Sequence, residues 1–353
     1  MSKRKERQSN IELLRIFSMI GVVLLHYNNA SIGMGLHYVE PNTINYYVMY
    51  FGESLFICAV NVFVLITGYF MISSMRRDVI KPFKFIIQVV NYSLIVFLFN
   101  IIRGKTYFNI KDLIRCLIPC NYFVILYSAL FFISLYFNVV FNKLNKKQTK
   151  IMIITLFVIF SIWNFICDFS GEVTNNEWFG LSTVGMYGSQ YGYSIVNFSL
   201  MYMIGAYVRK YGKHYSKFKS IGIILLCSIV IMFIALLGFT GSAWEYCNPF
   251  VIIEAWAIFN LFKEINLPTN KIINTLSSGA FSVFLLHFYL FPKIQIEKFV
   301  NQNVFVFILH ALISSIFIYI ICSLIHIVYT WIMEHIFSLI LKNRKSLKIE
   351  IVS

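Results

Sequence analysis

The sequence predicts an all-α polytopic membrane protein of about ten transmembrane helices, with both termini cytoplasmic. Three observations predict it. Of 353 residues, 59% are hydrophobic and only 13% charged, too few polar groups to cover a soluble domain. Apolar runs of about 20 residues, enough to cross a bilayer as a helix, recur along the whole chain. The basic residues sit in short clusters between those runs, as loop charges do in polytopic proteins. The formal charge of +15 is therefore read as membrane topology, and nucleic acid is excluded as a partner.

Taken in order, spans are predicted at residues 11–30, 45–72, 85–102, 120–141, 151–168, 193–208, 220–239, 247–262, 275–292 and 303–332. The last is long enough to tilt or to run on along the membrane surface. With the N-terminus inside, segments 1–15, 73–84, 142–150, 209–219, 263–274 and 342–348 face the cytoplasm and carry 24 of the 30 Lys and Arg. The outer segments 103–119 and 293–302 carry the other six, so the positive-inside rule supports the ten-span topology. Lys3, Arg4, Lys5 and Arg7 precede the first apolar run as in a signal peptide. No small-residue cleavage site follows His26, so that run is expected to be a retained span.

The chain then divides into a membrane domain, 1–341, and a short basic cytoplasmic tail, 342–353. The longest outer loop, roughly 169–192, is rich in Gly and aromatics, including Trp178, Phe179, Tyr187 and Tyr191, with Tyr193 just after it. Such rings either anchor helices at the interface or offer faces to sugar rings. The seven cysteines show no metal-ligand spacing, and no metal is expected. Cys116 and Cys120 lie one helical turn apart, a spacing that suits a disulfide poorly.

The costliest residues of the first span are Arg15 and His26. Eleven residues make about three helical turns and roughly 16 Å, so both side chains share one face, one near each side of the membrane. By helix rise, His26, Glu53, Glu254, His287 and His310 fall in one outer layer, consistent with a polar chamber that opens outward. There His26 is a candidate general base that would take a proton from an acceptor hydroxyl attacking an acyl carbonyl. Glu53 and Glu254 are candidate carboxylates to orient it, and His287 is a further candidate for a direct role. Each has an alternative as a buried group paired between helices. Arg15 pairs at (i, i+3) with Glu12 or, with Arg76, Arg77, Lys81 and Lys84 of the first inner loop, grips a phosphorylated ligand. Asn61 is a mid-span amide that either bridges helices or contacts the ligand. No GxSxG elbow, Walker A loop or HExxH site is present.

Three stretches resemble the acyltransferase 3 family of membrane acyltransferases. The run Asn10-Ile11-Glu12-Leu13-Leu14-Arg15 through His26 is similar to the family's arginine–ten residues–histidine motif. Ala59 through Phe70 resembles its "GVNxFxxISGY" pattern, and Ser282 through His287 its late "S…YLxH" helix. The resemblance implies transfer of an acyl group, usually acetyl from acetyl-CoA, to a hydroxyl of an extracytoplasmic glycan. It makes His26 catalytic, with Arg15 its partner in the motif. The family's RxxR pair in the first inner loop is replaced here by adjacent Arg76-Arg77, which with Arg15, Asn61 and Lys81 are the candidate donor contacts. Expected partners are acyl-CoA on the cytoplasmic side, a glycan or lipid-linked glycan outside, and the bilayer of the bacterial cell membrane. The alternatives are a glycan transporter or flippase and a polysaccharide polymerase. No internal repeat supports the first, and loop 169–192, without Lys or Arg, weakens the second.

Overall fold

In a computed structural model of the chain, the structure describes residues 7–29, 31–340 and 348–350. Ala30, Lys3, Arg4, Lys5 and most of the predicted tail 342–353 lie outside them. The N-terminal half contains α1 (Ser9–Asn28), α2 (Gly35–Tyr38), α3 (Ile44–Phe56), α4 (Ala59–Met71), α5 (Ile80–Ile102), α6 (Ile110–Leu117), α7 (Tyr122–Lys143) and α8 (Lys146–Phe157). It is followed by α9 (Trp163–Thr174), α10 (Ile195–Tyr211), α11 (Lys217–Leu236), α12 (Thr240–Ala243) and α13 (Pro249–Lys263). The chain closes with α14 (Lys271–Ser278), α15 (Ala280–Leu286) and the long α16 (Val304–Ile340). Strands β1 (Arg76–Asp78) and β2 (Lys348–Glu350) pair antiparallel, with Arg77 opposite Ile349.

Every predicted span coincides with helix, and the protein is an all-α polytopic membrane protein. Among the described residues, eight helical stretches are long and apolar enough to cross a bilayer. The predicted spans 193–208 and 247–262 are α10 and α13, of 17 and 15 residues. At 1.5 Å per residue they reach about 26 and 22 Å, short of a ~30 Å hydrocarbon core. Three spans are also interrupted. The second turns at Ile57 and Cys58 between α3 and α4, and the fifth carries a π-helical turn at Val158–Ile162. The ninth breaks at Gly279 and ends in the tight turn His287–Tyr289. A Cβ at Gly279 would lie 3.0 Å from the Ser323 Cα, so the break lets α16 pass close by. Pro249, expected inside its span, stands in the first turn of α13, where its missing N–H costs nothing and Asn248 caps the Phe250 N–H.

The segments expected to be cytoplasmic gather at one end of the bundle. There Arg7 donates to the Asn274 carbonyl at 2.8 Å, Asn10 to the Lys263 carbonyl at 3.2 Å, and Lys263 to the Lys213 carbonyl at 3.0 Å. At the opposite end, Glu40 N donates to Asn301 Oδ1 at 2.9 Å and Tyr246 N to the Tyr191 carbonyl at 2.9 Å. Two apolar cores lie between. One surrounds α4, α10 and α13 with Leu65, Phe198, Tyr202 and Phe259; the other joins α15 and α16 with Val283 and Ile318. Helix α1 belongs to both, through Ile11 and Leu14 in the first and Met19, Val22 and Tyr27 in the second.

The pairing of α4 with α10 is unusually close. A Cβ at Gly68 would lie 2.0 Å from the Tyr202 carbonyl oxygen, and one at Gly205 would lie 2.1 Å from that of Leu65. Two glycines on facing helices thus let backbone meet backbone, the packing small residues permit inside membranes.

Candidate functional site

A cavity of about 440 Å³ enters the bundle from the basic end. Its wall on α1 is the stripe Glu12, Arg15, Met19 and Val22, spaced by three or four residues as one helix face requires. From α4 come Val60, Phe63 and Thr67 at the same spacing, and α7, α14 and α15 supply Tyr127, Ser277 and Phe284 among others. Polarity is graded along it. Arg7, Glu12, Arg15, Ser277 and Ser278 form the mouth, and Met19, Val22, Val60, Phe63, Phe123 and Phe284 the deep end.

At the mouth, the Glu12 carboxylate accepts from Ser277 Oγ and stands 3.7 Å from Arg15 Nε. That Nε is buried and has no hydrogen-bond partner among the described residues. The (i, i+3) pair expected from the sequence therefore forms, at a distance that leaves Nε without a hydrogen bond.

One turn beyond Val22 on the same stripe is His26. Its Nδ1 lies 2.8 Å from the Val22 carbonyl oxygen. A carbonyl oxygen only accepts, so Nδ1 carries the proton, and in the neutral ring Nε2 holds the basic lone pair. His287 repeats the arrangement: its Nδ1 donates to the Val283 carbonyl at 2.8 Å, and its Nε2 is buried without a partner among the described residues. The two imidazoles meet edge to face at 4.8 Å between centroids, and Phe288 packs against both, at 4.9 Å from His26 and 4.0 Å from His287. Two rings whose Nδ1 atoms are both taken by backbone carbonyls therefore stand side by side above the deep end of the cavity.

A family model described as an acyltransferase domain matches residues 8–327. The chain belongs to the acyltransferase 3 family. No curated protein and no solved structure matches it.

Within this acyltransferase the other candidates are distributed more widely than one chamber. Glu53 accepts from Asn28 Nδ2 at 3.1 Å, two residues beyond His26 on α1. Glu254 is fully buried on α13, where it accepts from Ser228 of α11 beside Cys58. Neither carboxylate is among the described hydrogen-bond partners of His26; a backbone carbonyl orients that ring instead. His310 is joined to the Tyr27 hydroxyl at 2.9 Å and stacks on Phe299 at 3.9 Å. Asn61 bridges helices: it donates to the Tyr246 carbonyl at 2.7 Å and accepts from Asn197 of α10 at 3.0 Å.

The inner-loop cations are also separated from the cavity. Arg77 is buried, and its guanidinium donates to the carbonyls of Phe131, Ser74, Arg76 and Met71 and to Ser134 Oγ. It closes the C-terminal end of α4, whose last carbonyls lack helical partners. Arg76 lies opposite Glu350 in the β1–β2 pair, and Lys81 is exposed in the first turn of α5. Of the candidate donor contacts Arg15, Arg76, Arg77 and Lys81, Arg15 alone lines the cavity.

Sequence reasoning missed Arg7, Thr67, Tyr127 and Ser277 at the cavity wall and Phe288 beside the histidines. It also missed the junction at Ser282 Oγ, which meets Gln88 Nε2 at 2.7 Å, the Tyr92 hydroxyl at 2.9 Å and His326 Nδ1 at 2.8 Å. This junction ties α15 to α5 and α16 one residue before Val283, which holds His287. The signal was available, because Ser282 opens the stretch that ends in His287.

Proposed function

We propose that this membrane acyltransferase is an O-acetyltransferase. It takes acetyl from cytoplasmic acetyl-CoA and delivers it to a hydroxyl of a capsular, exopolysaccharide or other envelope glycan on the outer face of the bacterial cell membrane. The single observation that carries the proposal is the cavity whose α1 wall runs from Arg15 to Val22 and stops one turn short of His26. A cationic mouth suits the CoA phosphates, with which Arg15 and Arg7 can form charge-assisted hydrogen bonds. The apolar neck suits the pantetheine arm, and the roughly 16 Å from Arg15 to His26 is comparable to its reach.

In the reaction, His26 Nε2 accepts the proton of the acceptor hydroxyl as that oxygen attacks the thioester carbonyl. The tetrahedral intermediate collapses with cleavage of the C–S bond, and the CoA sulfur leaves with the proton returned by the imidazolium. His287 presents its own Nε2 beside the reacting groups, and Phe288 limits water around them.

The test compares surface glycan from strains carrying the unsubstituted protein, His26→Ala or Arg15→Ala. Loss of O-acetyl signals in the NMR spectrum, with glycan amount and chain length unchanged, is the expected outcome. Loss of the glycan itself would indicate transport or polymerisation. Persisting acetylation in a verified His26→Ala strain would remove His26 from the chemistry. A labelled acetyl group retained on the protein, absent in His26→Ala and released by acceptor, would replace direct transfer with an acyl-histidine route.

A further inference from the structure

At the end of the bundle away from the basic loops, a second cavity of about 660 Å³ opens between α9, the connection to α10 and the turn α12. Its size falls within the range of about 300–1,000 Å³ typical of small-molecule sites. Three rings stand on its wall: Trp178, 42% exposed, Tyr187, 76%, and Tyr191, 59%. Asp168, Glu172, Glu177, Glu245 and Ser189 line it with them, and among the described residues no Lys or Arg does. Rings that only anchor a helix would sit on the lipid-facing surface. These three share a polar cavity, and exposed aromatic faces beside hydroxyl-accepting oxygens match a pyranose, with its C–H faces and rim of hydroxyls.

The wall is held at a conformational cost. Gln190, Tyr191 and Gly192 take successive positive φ angles of 56°, 55° and 75°, and the first two are strained in that region. Tyr246 N clamps the Tyr191 carbonyl at 2.9 Å, and a Cβ at Gly192 would lie 2.5 Å from Cys247 N. The turn leaves Tyr191 on the cavity and sends Tyr193 back onto Tyr122 and Tyr246, at 4.8 and 4.7 Å between ring centroids. Asp168 accepts from Ser189 N at 3.0 Å, and Ser189 Oγ donates to Glu245 at 3.3 Å. Burial, then the Asp168 carboxylate, push the Glu245 carboxyl well above its usual range, which favours its protonated, donor-capable form.

We propose that this cavity is a carbohydrate subsite that holds an uncharged sugar unit of the acceptor chain against Trp178, Tyr187 and Tyr191, apart from the unit acylated at His26. The remaining carboxylates disfavour uronic acids and phosphorylated sugars by like-charge repulsion. The assignment rests on the glycan-acceptor function proposed above. It adds that the acceptor is grasped at two places and is uncharged at the second.

The test is direct binding to the purified full-length protein in lipid nanodiscs, followed by saturation-transfer NMR and titration calorimetry. The probes are chitotetraose, cellotetraose and maltotetraose, all uncharged, and tetragalacturonate, an anionic chain. At least one uncharged tetrasaccharide is expected to bind and tetragalacturonate not to. Trp178→Ala is expected to weaken binding about tenfold or more, as loss of an aromatic anchor does. Tyr187→Ala removes the most exposed ring, with little risk to folding, and is expected to weaken it in the same direction. Binding is measured without an acyl donor and without turnover, so this result and the fate of the acetylation test are read separately. No binding by any uncharged probe, equal binding of tetragalacturonate, or unchanged binding in both aromatic variants would overturn the proposal.

Discussion

Replacing Gly68 by Ala adds one methyl group where two backbones already touch. The new Cβ would stand 2.0 Å from the Tyr202 carbonyl oxygen, 2.8 Å from its carbonyl carbon and 2.9 Å from its Cα. Ordinary van der Waals contact begins near 3.4 Å, so α4 and α10 must separate by more than an ångström. No rotamer change can relieve the clash, because the three nearest atoms are all backbone. Overpacking typically costs about 1–3 kcal/mol, and a clash with no flexible partner belongs at the upper end. The separation would also stretch the Asn61–Asn197 hydrogen bond, now 3.0 Å. A loss of about 3 kcal/mol lowers the apparent Tm of a domain this large by about 4 °C. The assay is thermal unfolding of the detergent-purified protein by intrinsic fluorescence, with Gly222→Ala as control. Gly222 lies in α11 with nothing within 4 Å of its Cβ position, so Ala there should be neutral or slightly stabilising by helix propensity. Coincident melting of Gly68→Ala and the unsubstituted protein would refute the close packing of α4 on α10.

Three further outcomes follow from hydrogen bonding and charge. Arg77→Gln should lower Tm, because it strips donors from buried carbonyls; in the folded fraction, KM for the proposed acetyl-CoA donor should stay unchanged, whereas a rise would place Arg77 on the donor. Asn61→Ala leaves the Tyr246 carbonyl and Asn197 Nδ2 without their partner, and should cost about 1–3 kcal/mol, read in the same melting assay. Burial raises the Glu264 carboxyl, but His214 at 2.7 Å and Lys263 outweigh it and hold the group below its usual value. The stabilisation is therefore present above pH 4.5 and lost as pH falls through the lowered folded value, so Glu264→Gln should flatten the acid limb of the Tm profile.

The extent to which the sequence revealed the site differs from residue to residue. Arg15 and His26 could be placed on one face because a single helix period fixes their relation, and the cavity stripe runs along that face. The neighbour of His26 could not be chosen that way. Glu53, Glu254 and His287 share a depth, but which one turns toward His26 depends on helix rotation, and that is set by contacts such as Gly279 on Ser323. Arg77 shows the limit of charge patterning: a loop arginine predicted by topology and one that closes a helix end look alike in sequence. Hydropathy locates helices α10 and α13, but their lengths of 17 and 15 residues are set at their N-terminal ends by the caps Ser194 and Asn248, which hydropathy does not read.

The partners of α1 also govern the order in which the site is assembled. Arg7 contacts Asn274, Asn10 contacts Phe262, Glu12 contacts Ser277, and Tyr27 contacts His310, separations of 267, 252, 265 and 283 residues. His26 likewise meets His287. The helix that carries the motif is among the first to leave the ribosome, yet these contacts belong to the last third of the chain. Until that third is inserted, Arg15 and His26 wait in the membrane without their final neighbours. A chain halted before α14 therefore holds the motif without Ser277, Phe284 and His287, which complete the cavity wall and flank His26.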